Sequence, residues 1–124
     1  MDIQGLDHVA LHIEDLDRSR QFYEEVLGLR RAVRPDFDFP GEWYRVGDQQ
    51  IHLIGRPVEG SVPKERHYAL TIADVAAAQS RLEAHGISYG GPKPRPDGRQ
   101  QIFVRDPDGH VIELLGPPPG PDSR

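Results

Sequence analysis

Arg66-His67-Tyr68-Ala69-Leu70-Thr71-Ile72-Ala73-Asp74 decides how the rest of the chain reads, because the chain has already used the same skeleton. Asp7-His8-Val9-Ala10-Leu11-His12-Ile13-Glu14-Asp15 runs through the same order: His, any residue, Ala, Leu, any residue, Ile, any residue, Asp. His67 lies 59 positions after His8, close to half of the 124 residues. Each copy leads straight into a helical pattern. A period of that size predicts two copies of one supersecondary unit.

The rest of the composition narrows the classes. A chain of 124 residues with 36% hydrophobic residues makes one compact domain, or two small modules sharing a core. A net charge of −5 and the lack of any Lys/Arg-rich run argue against nucleic acid and against an anionic membrane surface. With no cysteine, disulfides and thiolate metal sites are excluded, so any transition metal must be held by His and carboxylate. Met1-Asp2-Ile3-Gln4-Gly5 does not open a signal peptide, and no apolar run reaches membrane-spanning length. A cytoplasmic protein is the expectation.

In the first half, residues 6 to 13 alternate as a strand, with Val9, Leu11 and Ile13 on one face and His8, Ala10 and His12 on the other. Asp15 is placed to cap a helix whose stripe is Leu16, Ser19, Phe22, Tyr23, Val26 and Leu27, ended by Gly28. Leu29 to Val33 reads as a short strand and Arg34 to Gly41 as a loop. Glu42 to Val46 and Gln50 to Ile54 read as a hairpin around Gly47-Asp48. Residues 1–55 form this first unit, and 56–65, with Pro57, Gly60 and Pro63, form a linker. Residues 66–115 repeat the order. His67 to Ile72 is a strand, and Asp74 caps a helix striped by Val75, Ala78, Leu82 and His85 and ended by Gly86. Ile87 to Tyr89 is a short strand, Gly90 to Arg99 a loop, and Gln101 to Arg105 with His110 to Leu115 a second hairpin. The Pro-rich tail, 116–124, is expected to be disordered, leaving one domain over about 4–116.

The last strand of each half carries one polar residue among apolar neighbours: His52 in Gln50-Ile51-His52-Leu53-Ile54, and Glu113 in Val111-Ile112-Glu113-Leu114-Leu115. Glu113 follows His52 by 61 positions, nearly the spacing of the histidine pair. A buried imidazole or carboxylate is costly unless it is paired or bound to a metal. Three imidazoles and one carboxylate, His8, His52, His67 and Glu113, suit Zn, Ni, Co, Mn or Fe(II). His52 has three readings: ligand, base beside the metal, or plain core histidine. His12, Trp43, Tyr44 and Arg99 are weaker candidates for a substrate pocket. Of Trp43 and Tyr44 only one can face it, since neighbours on a strand point to opposite sides. His85 and His110 read as surface groups.

The pattern resembles the vicinal oxygen chelate superfamily of glyoxalase I, methylmalonyl-CoA epimerase, fosfomycin-resistance proteins and extradiol dioxygenases. The resemblance runs from Leu6 to Leu115. It rests on Asp7-His8-Val9-Ala10-Leu11, on Phe22-Tyr23 with Val26-Leu27-Gly28-Leu29, on Arg66-His67-Tyr68-Ala69-Leu70, and most specifically on Asp106-Pro107-Asp108-Gly109-His110-Val111-Ile112-Glu113-Leu114. It implies an α+β fold of two tandem βαβββ modules closing a cup-shaped mixed sheet around a metal, in a homodimer. It places His8, His67 and Glu113 at the common ligand positions and His52 at the fourth, where glyoxalase I typically carries Glu or Gln.

What the resemblance implies is one divalent transition metal per site, acting as a Lewis acid on two neighbouring oxygens of a small-molecule substrate, with a base beside it. Glu113 and His52 are the catalytic candidates. A glyoxalase I-like lyase or isomerase acting on a small carbonyl compound or its thiol adduct is the leading expectation. A non-haem Fe(II) ring-cleaving dioxygenase is the alternative, with His8, His67 and Glu113 as its facial triad. A drug-binding protein without catalysis, of the bleomycin-resistance type, is the third.

Overall fold

The computed structural model describes residues 1–120, so the last four residues of the expected disordered tail lie outside the described residues. The chain forms two compact units, Met1–Gly60 and Ser61–Arg124. In the first, β1 (His8–Ile13) is followed by α1 (Leu16–Arg20), which runs into a π-helical segment (Gln21–Val26), then by β2 (Arg30–Arg31), β3 (Gly41–Val46) and β4 (Gln49–Gly55). In the second, β5 (His67–Thr71) is followed by α2 (Val75–Ala84), β6 (Gly90–Pro94), β7 (Gln100–Arg105) and β8 (Val111–Gly116). Each unit is therefore βαβββ, as the repeat predicted. The sheet orders match too: β1-β4-β3-β2 and β5-β8-β7-β6, with a parallel pair first in each and antiparallel pairs after it.

The same local chemistry starts both helices. The Asp15 carboxylate accepts from the Arg18 amide at 3.1 Å, and that of Asp74 from the Ala77 amide at 3.0 Å, each satisfying a donor the helix leaves free. Most of the expected stripes are buried, Ser19, Phe22, Tyr23 and Val26 in the first unit and Val75 and Leu82 in the second, while Leu16, Leu27 and Ala78 are half-buried and His85 is exposed. The Tyr23 ring lies over that of Tyr44 at 5.8 Å, which seats the helix on the face of the first sheet that carries Ile51 and Leu53. In the second sheet the buried face is Ile102, Val104, Ile112 and Leu114.

The strand limits need three corrections. β2 is two residues long rather than five. Ile87 to Tyr89 is not a strand, because the second strand of the second unit starts at Gly90. The expected loop from Gly90 is thus largely strand β6, in spite of two prolines. It lies at a sheet edge, where proline's missing N–H costs no ladder bond. Its register slips between Gly90 and Lys93, where a side chain on Gly91 would lie 2.3 Å from the Gln101 carbonyl oxygen. Gly116, expected in the tail, closes β8, and the Pro117 carbonyl accepts from Gln100 Nε2 at 3.2 Å.

Candidate metal centre

Strand register puts the candidate residues on matching positions of the two modules. Ala10 lies opposite His52, and Ala69 lies opposite Glu113. Residues paired across strands share a sheet face, so His8, His52 and Trp43 stand on one face of the first sheet. His67, Glu113 and Phe103 stand on the equivalent face of the second. The opposite faces carry the cores. Among the described residues the candidate ligands gather in twos, not in groups of three or more. The first module brings His8 to His52, and the second brings His67 to Glu113.

Both repeated histidines are held by Nδ1. In the first module Nδ1 of His8 lies 2.7 Å from the Asp7 carboxylate. In the second, Nδ1 of His67 lies 3.0 Å from the Lys64 carbonyl oxygen. A carbonyl only accepts, and so does an ionised carboxylate, so both rings carry a proton on Nδ1 and turn Nε2 away from that anchor. That is the tautomer a metal-ligating histidine needs. His67 Nε2 meets Glu113 Oε1 at 3.0 Å, and the carboxylate is 6% exposed. Two acceptor atoms at that distance hold a positive centre between them, a shared proton or a cation. Gln101 Nε2 donates to the other carboxylate oxygen at 3.3 Å and fixes its plane. The Phe103 ring stands edge-on to His67 at 5.5 Å, and the Lys64 ammonium lies 4.5 Å over that ring. Lys64 thus anchors the histidine by its carbonyl and the aromatic ring by its side chain.

His52 is held differently. Its ring is stacked between Trp43, at 3.7 Å and 4°, and His8, at 4.0 Å and 19°. Its Nε2 lies 2.8 Å from Gln50 Oε1, to which it donates, leaving Nδ1 as the basic nitrogen. Burial, and then the nearby His8, push its pKa below the ordinary histidine range. Imidazole lone pairs lie in the ring plane. Two nearly parallel rings 4.0 Å apart do not direct both lone pairs at one ion. The stacking therefore favours the role of proton carrier over that of a ligand alongside His8.

Of the expected pocket residues, Trp43 lines an open depression of about 490 Å³ on this face of the first module, with His8, His52, Phe37, Phe39 and Asp48. Tyr44 does not: it is wholly buried on the core side, where its hydroxyl donates to Glu24 Oε2 at 2.7 Å. Burial and that carboxylate push the phenol well above its usual range. The strand's alternation thus gives Trp43 to the depression and Tyr44 to the core. His12 stands exposed on the face of His8, opposite Ile54, outside the lining of the depression. Arg99 belongs to the second module, in the turn from β6 to β7, where its amide donates to Asp97 Oδ1 at 3.1 Å and its carbonyl accepts from Arg95 at 2.7 Å.

Sequence reasoning passed over the residues that hold the histidines. Gln50 was legible, since two residues before His52 on a strand is the same face. The carbonyl of Lys64 was not, because a main-chain acceptor leaves no trace in residue type. A buried ionic group beneath the first sheet was also missed: Glu42, whose side chain is 10% exposed, takes Arg20 Nε at 3.0 Å and lies 3.6 Å from Arg31 Nε.

The family model for the glyoxalase/bleomycin resistance protein/dioxygenase superfamily matches residues 5–114, and the chain belongs to that superfamily. Among its relatives, "Glyoxylase I 4" of Arabidopsis thaliana is 30% identical over 122 residues, which is 90% of this chain and 70% of that protein. "Glutathione transferase FosA" of Serratia marcescens is 32% identical over 118 residues, 90% of this chain and 80% of that one. In structure the chain is similar to a Bacillus anthracis protein assigned provisionally to the glyoxalase family, with a TM-score of 0.83 and 27% identity over 94% of this chain and 97% of that one.

Proposed function

We propose that this protein is a divalent-metal-dependent enzyme, a glyoxalase I-like lyase or isomerase acting on a small carbonyl compound or its thiol adduct. One observation carries the reading: His8 and His67, matched by the repeat, are both fixed through Nδ1, and Nε2 of His67 meets the buried Glu113 carboxylate. The donor set fits a borderline divalent ion. Within the second module His67, through Nε2, and Glu113, through a carboxylate oxygen, would hold such an ion, and within the first His8 would offer Nε2. When bound, the ion supplies Lewis acidity, polarising two neighbouring oxygens of the substrate.

The chain's own residues then handle the proton. Gln101 fixes Glu113 through Oε2, and Oε1, 3.0 Å from His67 Nε2, is the oxygen that takes or returns a proton. His52, locked in the Trp43 stack and held by Gln50, offers Nδ1 as a second base. The likeness to a glyoxylase I supports carbonyl or thiol-adduct chemistry. The likeness to a glutathione transferase favours a second reading, addition of a thiol to a small electrophile at the same centre.

Metal analysis of the purified protein beside His67→Ala tests this directly. About one transition metal per chain, lost in the variant, is expected, together with metal-dependent turnover in a panel of 2-oxoaldehyde hemithioacetals. No metal in either protein, even after reloading, would sink the reading. Metal without hemithioacetal turnover, but with thiol addition to an electrophile, would move it to the second.

A further inference from the structure

In the second unit the anchor of His67 is not part of a strand. The Lys64 carbonyl, which takes the His67 Nδ1 proton, belongs to a turn ahead of β5, closed where the Arg66 amide donates to the Pro63 carbonyl at 3.0 Å. A main-chain carbonyl fixes an imidazole only as firmly as the segment that carries it is fixed. This segment has no sheet ladder of its own, and a connection of that kind moves unless something ties it down.

Arg105 supplies a tie. It ends β7 and lies in the cross-strand row of Val111 and His67, so it stands on the face of the sheet that carries the histidine. Its Nη1 donates to two main-chain carbonyls, that of Val62 at 2.9 Å and that of Gly109 at 2.8 Å. Gly109 lies in the β7–β8 turn, which is well braced. There the buried Asp106 carboxylate accepts from the Asp108 and His110 amides at 3.0 and 2.8 Å, and the Gly109 amide donates to the Asp106 carbonyl at 3.0 Å. One guanidinium nitrogen thus joins the segment ahead of β5 to a braced turn 43 positions later than Val62. The first unit is built otherwise. β3 ends in Val46 where β7 ends in Arg105, and His8 is held by Asp7, its own neighbour in sequence.

We propose that Arg105 is a positioning residue for His67. By holding Val62 it keeps the turn 62–66 on the β7–β8 turn. That keeps the Lys64 carbonyl on Nδ1, with the ring turned so that Nε2 meets Glu113. The proposal rests on the reading of His67 as a metal ligand only for its consequence, since the geometry it explains exists without metal.

Metal-free protein, isotopically labelled at its histidine ring nitrogens, is compared by NMR with Arg105→Ala and Arg105→Lys at one pH. The nitrogens are read through the carbon-bound ring protons, and the His67 signals are assigned by their loss in His67→Gln. Arg105 is exposed, so its truncation opens no cavity. In the wild type the His67 Nδ1 signal is expected where a bonded N–H falls. In Arg105→Ala the His67 nitrogens should move towards those of an unanchored imidazole, while those of His8 stay in place. Arg105→Lys, with N–H groups for two carbonyls on a slightly shorter stem, should move them less. Zinc affinity, measured by competition with a chelator, should fall about threefold to tenfold in Arg105→Ala, less than for a group bonded to the ligand itself. Unchanged His67 nitrogens in Arg105→Ala overturn the proposal. So do equal movements of His67 and His8, or loss of folded structure in both variants, because the arginine would then serve the fold and not the histidine. If the wild type binds no zinc, the proposed metal centre fails while the nitrogen signals still decide the role of Arg105.

Discussion

The two modules share a plan and differ in what they do with it. In the first, the repeated histidine is held by an exposed carboxylate and its neighbour across the sheet is a second histidine, stacked on tryptophan. In the second, the repeated histidine is held by a main-chain carbonyl and its neighbour is a buried glutamate tied to glutamine. The imidazole-to-carboxylate change at positions 52 and 113 divides the labour. One module carries an aromatic wall around His52; the other carries a buried carboxylate against His67. Duplication sets where the groups stand, and divergence at a few positions sets their chemistry.

The widest separation of the modules should come from exchanging those two residues. Glu113→Gln keeps the shape and the Gln101 contact but removes the charge and the proton acceptor. It is expected to lower metal-dependent turnover by about 10²–10⁴-fold, read from steady-state kinetics with metal content measured in parallel. His52→Gln should retain metal and lose less, on the order of 10–100-fold. Equal losses, or loss of metal from the His52 variant alone, would reverse the assignment of roles.

The cores should behave alike where the sites do not. Ile51 and Ile112 occupy matching places on β4 and β8, at 2% and 0% exposure. Ile51→Ala and Ile112→Ala should each cost about 2–5 kcal/mol in denaturant unfolding. A variant that loses almost nothing would show that one half does not depend on its core. A finer comparison uses the caps. Asp15→Ala and Asp74→Ala each remove the same kind of helix-starting bond and should each cost about 1 kcal/mol, a drop of a few degrees in thermal unfolding.

The smallest effect lies in the turns. The Arg95 guanidinium, helped by the Arg99 amide and opposed by desolvation, holds the Asp97 carboxyl at about 2, below its ordinary value. A depressed carboxyl contributes stability above its unfolded value, and that contribution is lost as the pH falls through the folded one. Carboxyl NMR should therefore place the Asp97 midpoint near pH 2, and Arg95→Ala should return it to the ordinary aspartate range. The turn Gly47-Asp48 of the first module has no such clamp among the described residues.

The chain's own residues fixed more of the fold than of the site. The repeat, both helix caps, the helix stripes and the hairpin at Gly47-Asp48 were readable because each rests on contacts between residues close in sequence or on strict alternation. β6 was not readable, since proline and glycine signal a loop and only pairing with β7 makes that segment a strand. The choice of Trp43 over Tyr44 for the depression had to be one or the other by alternation. Which one it was depended on the packing of Tyr23 against the sheet.

For the site, sequence alone determined the donor types and their matched positions, because those follow from residue identity and period. Only the tertiary structure decided which nitrogen each histidine presents, since that depends on an acceptor brought near it: Asp7 beside His8, the Lys64 carbonyl beside His67 and Gln50 beside His52. It also decided that the loop from Arg34 carries its phenylalanines to Trp43. The reason is physical. Tautomer and ring orientation are set by hydrogen bonds and stacking that act over a few ångströms in space, and residue order does not encode which groups will be that close.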